Sequence, residues 1–393
     1  MQKPQSIMHL PLLRVPSVVL LAGAVIAFVA IGMRHSFGLF LNPITDSLSG
    51  VNREDFGFAV ALQNLMWGLA QPFAGMAADK FGTAKVVFIG GILYAGGLVY
   101  ASLSSSALGL TLGFGVLVGV GLSATTYAVV LGAVGRRYPP EKRSTALGIA
   151  SLGGSIGIFL SVPVTLALLD AFDWTFALVS LAIVSLIICL LAPILSGKAE
   201  GTGAGNDQSV REALTEALSH RGFVLLVLGF FVCGFQLAFI GVHLPAYLLD
   251  RQLDVWLGGA ALTTIGATNV VGTLACGALG DRVSKKNLLA VLYFIRTVII
   301  AVFVIAPPSP AATLVFAAVI GFTWLGTVPL TSGIVAQVFG PKYLATLVGI
   351  VFLMHQVGSF LGAWLGGLVF ERTGSYDLIW WCVIASGVLA ALL

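Results

Sequence analysis

Twelve apolar runs, each about as long as a bilayer is thick, fill most of this 393-residue chain. They cover residues 18–41, 56–78, 86–103, 108–134, 144–169, 174–195, 222–249, 256–279, 288–306, 311–338, 343–370 and 376–393. In hydrocarbon, backbone N–H and C=O groups find no water, so such runs must fold as helices or as strands of a closed barrel. Barrel strands are about 10 residues long and alternate in polarity. These runs are about 20 residues long and continuously apolar, so a helix bundle follows. Charged residues make up only 9% of the chain, against about 25% in soluble domains, which excludes a water-soluble globule.

Basic residues orient the bundle. Fifteen of the 20 Lys and Arg fall in segments on one side, and only Arg53, Arg251 and Arg372 on the other. Both termini are therefore expected in the cytoplasm, with the chain crossing a plasma membrane such as a bacterial inner membrane. The net charge of +4 is read as this topology signal and not as a nucleic-acid footprint. Pro4, Pro11 and Pro16 break up the N-terminal stretch, and no cleavable leader is expected. The twelfth run, the weakest of the set, is still apolar at Leu393. Cys189, Cys233, Cys276 and Cys382 stand singly in apolar runs and read as small packing residues, so no metal or cofactor is expected.

One segment interrupts the apolar pattern. Gly201-Thr202-Gly203-Ala204-Gly205-Asn206-Asp207 has the composition of a flexible linker, and residues 210–220 have that of a short amphipathic helix. The chain divides into residues 1–195, a linker at 196–221 and residues 222–393, with six spans on each side. Two landmarks repeat across the division. Gly75-Met76-Ala77-Ala78-Asp79-Lys80-Phe81-Gly82 returns 202 residues later as Gly277-Ala278-Leu279-Gly280-Asp281-Arg282. Pro140, Thr145, Gly148 and Ile149 return 201 residues later as Pro341, Thr346, Gly349 and Ile350. A near-constant offset at two separate landmarks indicates a duplicated six-helix unit.

In these features the chain resembles the major facilitator superfamily. The family's loop signature after span two is matched by Gly75, Asp79, Lys80, Gly82 and Lys85, and its weaker repeat after span eight by Gly277, Asp281, Arg282 and Lys285. Residues 138–154 are similar to the loop and fifth span of the monocarboxylate porter and oxalate-formate exchanger branch. Two positions depart from that branch: Arg34-His35-Ser36-Phe37-Gly38 replaces its acidic signature in span one, and Asn269 and Thr273 replace an Asp and an Arg in span eight. The resemblance implies an all-α membrane fold of twelve transmembrane helices in two pseudo-symmetric six-helix halves, working by alternating access and performing no enzymatic chemistry. It also implies that Asp79, Lys80, Lys85, Asp281, Arg282 and Lys285 link neighbouring helix ends as gating residues. The plainer reading of these charges is as topology determinants beside a turn glycine.

Ionisable residues inside membrane spans are costly and usually functional. All 16 acids fall in loops or at span ends, whereas Arg34, His35, His243, Arg296 and His355 lie inside spans. A site with cations and no midplane acid attracts an anion. Arg34 is the leading partner for a carboxylate, which a guanidinium can grip through two hydrogen bonds; snorkelling to the outer surface is its alternative. Arg296 lies about 14 Å into span nine and is either a second anion contact or a cap on helix carbonyls. Gln236, His243 and Tyr247 share one face of span seven, as ligand contacts or as a polar seam. His243 and His355 are the proton-coupling candidates, since imidazole titrates near neutrality; a neutral imidazole bonded to a carbonyl is the alternative. Asn64, Tyr127, Asn269 and Trp324 complete the expected substrate-binding set.

No nucleotide-binding loop, metal-ligand cluster or nucleophile–base pair is visible, and span five lacks the Gly-Pro pair usual in exporters. The expectation is a monomeric secondary transporter of a small organic anion, a monocarboxylate moved with a proton. An anion exchanger, a proton-coupled exporter of amphipathic compounds and a non-transporting membrane sensor are the alternatives.

Overall fold

All twelve apolar runs are helical in the computed structural model, which describes residues 15–135, 137–138, 140–196, 210–280, 282–339 and 344–393. Among the described residues, ten helices are long and apolar enough to cross a membrane. The other two are Arg53–Phe81, whose middle carries Gln63, Asn64, Gln71 and Pro72, and the 16-residue Asp377–Leu392. Polar residues at the turns start the helices. Asn52 and Asp55 form a reciprocal cap at the head of span two, with bonds of 2.9 and 3.0 Å. Asp173 and Ser309 accept the free N–H groups of Phe176 and Ala312 at spans six and ten. Gly82 turns the chain from span two into span three at φ 97°, a conformation that a side chain would strain.

Spans one to six gather most of one apolar core, and spans seven to twelve most of a second. Within the linker region, the amphipathic stretch is a helix at Val210–Ser219. In each set, the first span packs against the fifth through glycines four residues apart. A Cβ on Gly153 or Gly157 would strike the backbone of Ala24 or Phe28, and one on Gly358 or Gly362 that of Phe231 or Phe235. Backbone-to-backbone packing of this kind substitutes for the hydrophobic drive that lipid does not supply.

Three spans are less regular than their apolar runs suggest. Span one is α-helical over Pro16–His35, tightens to a 3-10 turn at Phe37–Phe40 and continues as a short helix to Ser47. Span four breaks at Thr126, where the backbone is extended, and resumes as Tyr127–Gly135. Span ten runs Pro310–Phe322, leaves the helix over residues 323–326 and resumes as Thr327–Phe339. Spans four and ten hold equivalent places in the two six-span sets. Broken helices of this kind are tolerated in a membrane only where they are buried in protein or line a water-filled cavity.

Candidate functional site

A cavity of about 2230 Å³ lies between the two sets of spans. Its mouth is at the end of the bundle where span two turns into span three, lined there by Met76, Arg137, Gly280 and Lys285. Its deep end is lined by Arg34, His35 and Gly38 of span one and by Gly241 and Val242 of span seven. Beyond that end the bundle is shut. A Cβ on Gly38 would strike the Gly241 carbonyl, so the two spans touch backbone to backbone. The lining includes three permanent cations, Arg34, Arg137 and Lys285, with His35 and His355, and no Asp or Glu among the described residues.

Span one places Arg34 at its last helical turn, pointing toward span two. Nη2 donates to Asn64 Oδ1, and Asn64 in turn donates to the Val60 carbonyl at 2.9 Å. The guanidinium stands 5.1 Å from the centre of the Trp67 ring, a favourable cation–π distance. The Trp67 indole donates to Thr126 Oγ1 at the break of span four, 2.9 Å away. Nε of Arg34 is buried without a protein acceptor. An anion that reached the guanidinium would find a cation already oriented by Asn64 and Trp67.

His35 and Trp324 close the floor from opposite sets. The Trp324 indole can only donate, and it donates to His35 Nε2 at 3.4 Å. His35 Nδ1 therefore carries the ring proton and donates to the Ile31 carbonyl at 2.9 Å. On the far wall His355 lines the cavity, stacked on Phe352, with Nδ1 at 3.1 Å from Gln356 Oε1 and 3.4 Å from Ser359 Oγ.

Arg34, Trp324 and His355 line the cavity with Asn64 directly behind Arg34; of the other sequence candidates Lys285 lines the mouth, Asn269 and Arg296 stand behind span ten, and the rest described lie away from the wall. Gln236 is fully buried and donates to the Val383 carbonyl of span twelve. Tyr247 sits in an aromatic cluster with Phe303, Tyr376 and Trp380. Span seven turns that face into its own half of the bundle, and so carries these groups away from the cavity. His243 is fully buried as well; Nε2 donates to the Ala363 carbonyl at 2.7 Å and Nδ1 accepts from the Tyr376 hydroxyl at 3.2 Å. Asn269 spans the seam, donating to Ser155 Oγ at 3.3 Å. Arg296 is fully buried behind span ten and bonds to the Thr323 and Trp324 carbonyls. The Tyr127 side chain lies outside the described residues.

Of the gating candidates, Lys80, Lys85 and Arg282 are exposed at the mouth, and Lys285 lies along Gly333 of span ten. The Asp79 side chain and Asp281 lie outside the described residues.

The closed end contains a group that sequence reasoning left among the loops. Arg53 donates twice to the Asp250 carboxylate, at 2.5 and 2.9 Å, and its backbone N–H donates to Glu371 Oε1 at 3.0 Å. Its guanidinium also lies 4.1 Å over the Phe370 ring and 3.4 Å from the Tyr376 hydroxyl. The one hint in the sequence was that Arg53 is among the few basic residues on that side.

Comparison with known proteins places this geometry in context. The model of the Major Facilitator Superfamily matches residues 18–363. An uncharacterized MFS-type transporter, YcxA of Bacillus subtilis, is 26% identical over 382 residues, covering 92% of this chain and 91% of its own. Monocarboxylate transporter 13 of Rattus norvegicus is 30% identical over 326 residues, covering 81% of this chain and 74% of its own. A crystal structure of the nucleoside transporter NupG has the same fold, with TM-score 0.78 at 15% identity over 95% of this chain and 98% of its own.

Proposed function

The chain belongs to the Major Facilitator Superfamily and is a transporter, not an enzyme, and from that premise we propose that its cargo is a small organic anion, a monocarboxylate carried together with a proton. The observation that carries this reading is Arg34, its Nε buried without a protein acceptor, at the deep end of a cavity whose described lining holds no acid. A carboxylate would pair with the guanidinium, its body resting against Trp67 and Trp324. The similarity to monocarboxylate transporters 13 and 11 supports the same class of cargo.

His355 is the proton carrier in this reading, because it is the second-half imidazole that faces the cavity; His243 belongs to the closed end. With the termini in the cytoplasm, the cavity mouth is cytoplasmic and the Arg53–Asp250 pair external.

Alternating access then requires the mouth to shut, and four glycines mark where. Span two meets span eleven at Gly68 and Gln356. Gly75 and Gly349 each lie seven residues, about 10 Å, further toward the mouth on those spans. Span five meets span eight at Ser155 and Asn269, and Gly148 and Gly277 lie a similar distance beyond. A Cβ on any of the four would meet nothing within 4 Å. Closure brings Gly75 to Gly349 and Gly148 to Gly277, with Asp79, Lys80, Lys85, Asp281, Arg282 and Lys285 gathered at the sealed rim.

Uptake of labelled lactate by proteoliposomes containing the full chain tests the reading. An imposed inward proton gradient should accelerate uptake, and Arg34→Gln should abolish it. Uptake that ignores the gradient refutes symport. A cavity that binds organic cations as well as carboxylates refutes the anion assignment.

A further inference from the structure

The break in span ten is held from two sides by buried side chains that do not line the cavity. Breaking a helix leaves carbonyls and N–H groups without intrahelical partners, and since lipid cannot satisfy them, protein groups or cavity water must. On one side, Arg296 of span nine is fully buried. Its Nη2 donates to the Thr323 carbonyl and, at 3.3 Å, to the Trp324 carbonyl; Nε reaches Thr323 Oγ1 at 3.4 Å and Nη1 reaches Cys233 Sγ at 3.2 Å. On the other side, Asn269 of span eight accepts the N–H of Leu325 at 3.1 Å. Donors on one lip and an acceptor on the other are the complement that an opened turn requires.

Between those lips stands Trp324, whose indole crosses the cavity floor to His35, the neighbour of Arg34. We infer that Arg296 and Asn269 are positioning residues which bracket the break of span ten and so hold Trp324 over the Arg34 end of the cavity. Arg296 thereby shapes the binding site without touching the cargo. A continuous helix through residues 323–326 would redirect the Trp324 side chain, since each residue turns the helix by about 100°. Asn269 also bonds across the seam to Ser155, so the bracket is tied to the relative position of the two halves. The inference is independent of which anion is carried.

The test reads Trp324 directly, with no ligand added. The full chain in detergent micelles, labelled with 5-fluorotryptophan, carries seven indole reporters. Trp324→Phe identifies the resonance of Trp324 by its loss. In Arg296→Gln that resonance is expected to shift beyond its linewidth while those of distant Trp174 and Trp256 stay in place. A general loosening of the fold would move the distant resonances too. An unmoved Trp324 resonance in a folded Arg296→Gln protein overturns the assignment. Should that variant lose all seven signals, Asn269→Ala decides from the other lip: a shift confined to Trp324 supports the bracket, and no shift overturns it.

Discussion

Arg53 and Asp250 are joined by two hydrogen bonds across the seam between spans two and seven, at the end of the bundle opposite the cavity mouth. The pair is partly shielded, at 16% and 31% side-chain exposure. Such a pair contributes on the order of 1 kcal/mol. Because it bridges the two halves, that energy bears on the conformational equilibrium. Asp250→Asn is expected to shift the population toward the state open at this end by about fivefold, a change that follows from 1 kcal/mol. Labelling of a cysteine placed at Gly241 by an impermeant maleimide added outside would report it. The difference between variant and parent should narrow at high salt, which screens the parent's ion pair.

Asn64 orients Arg34, and its amide oxygen is the protein acceptor for Nη2. Replacing it with Leu keeps the volume and removes the acceptor. A hydrogen bond to a charged group contributes roughly 1.5–3 kcal/mol, so the KM for a monocarboxylate should rise about 10- to 100-fold with a smaller change in kcat. Asn64→Asp should also weaken uptake, since a carboxylate there competes with the substrate for Arg34. Concentration series in proteoliposomes check both.

The glycines of the mouth and those of the seams predict opposite phenotypes. Gly75→Leu and Gly148→Leu place side chains in open space, so the thermal midpoint should hold or rise slightly as backbone freedom in the unfolded chain falls. Transport should nevertheless be lost, because the mouth can no longer shut. Gly157→Leu drives a side chain into the Phe28 backbone and is expected to abolish folding. Thermal melts beside uptake separate the two classes.

Much of the bundle was legible because a membrane leaves so few options. In lipid an apolar run of about 20 residues folds as a helix, and each of the twelve is helical over most of its described residues. Arg34 was legible for a related reason, as a buried cation with no acid at its depth. The breaks at Thr126 and residues 323–326 were not, since a broken helix survives through partners from other spans, and the pairing of Arg296 with the Thr323 carbonyl has no local signature. The Arg53–Asp250 pair was hidden similarly. Its members are 197 residues apart, and each alone reads as an ordinary residue at a helix end. Gln236, Tyr247 and His243 show the limit of helical-face reasoning: spacing put them on one side of span seven, but only packing decides whether that side meets the cavity.

His355 faces the cavity and His243 does not, and this separates two kinds of transport defect. His355 has Gln356 and Ser359 at Nδ1, and its ring lies along Phe352 at the wall. In the proposed symport this imidazole is the group that carries the proton as access alternates. His355→Gln keeps a polar side chain and removes the imidazole. Gradient-driven uptake should fall to the level of passive equilibration, while exchange of labelled for unlabelled substrate continues, because exchange needs no net proton movement. His243→Gln should behave differently. Both of its ring nitrogens are engaged, to the Ala363 carbonyl and the Tyr376 hydroxyl, so its loss loosens the closed end. Uptake and exchange should then decline together, with the response to a proton gradient preserved. Measuring uptake and exchange on the same liposomes at matched and unmatched pH distinguishes the two, and equal loss of both activities in His355→Gln would remove it from the proton path.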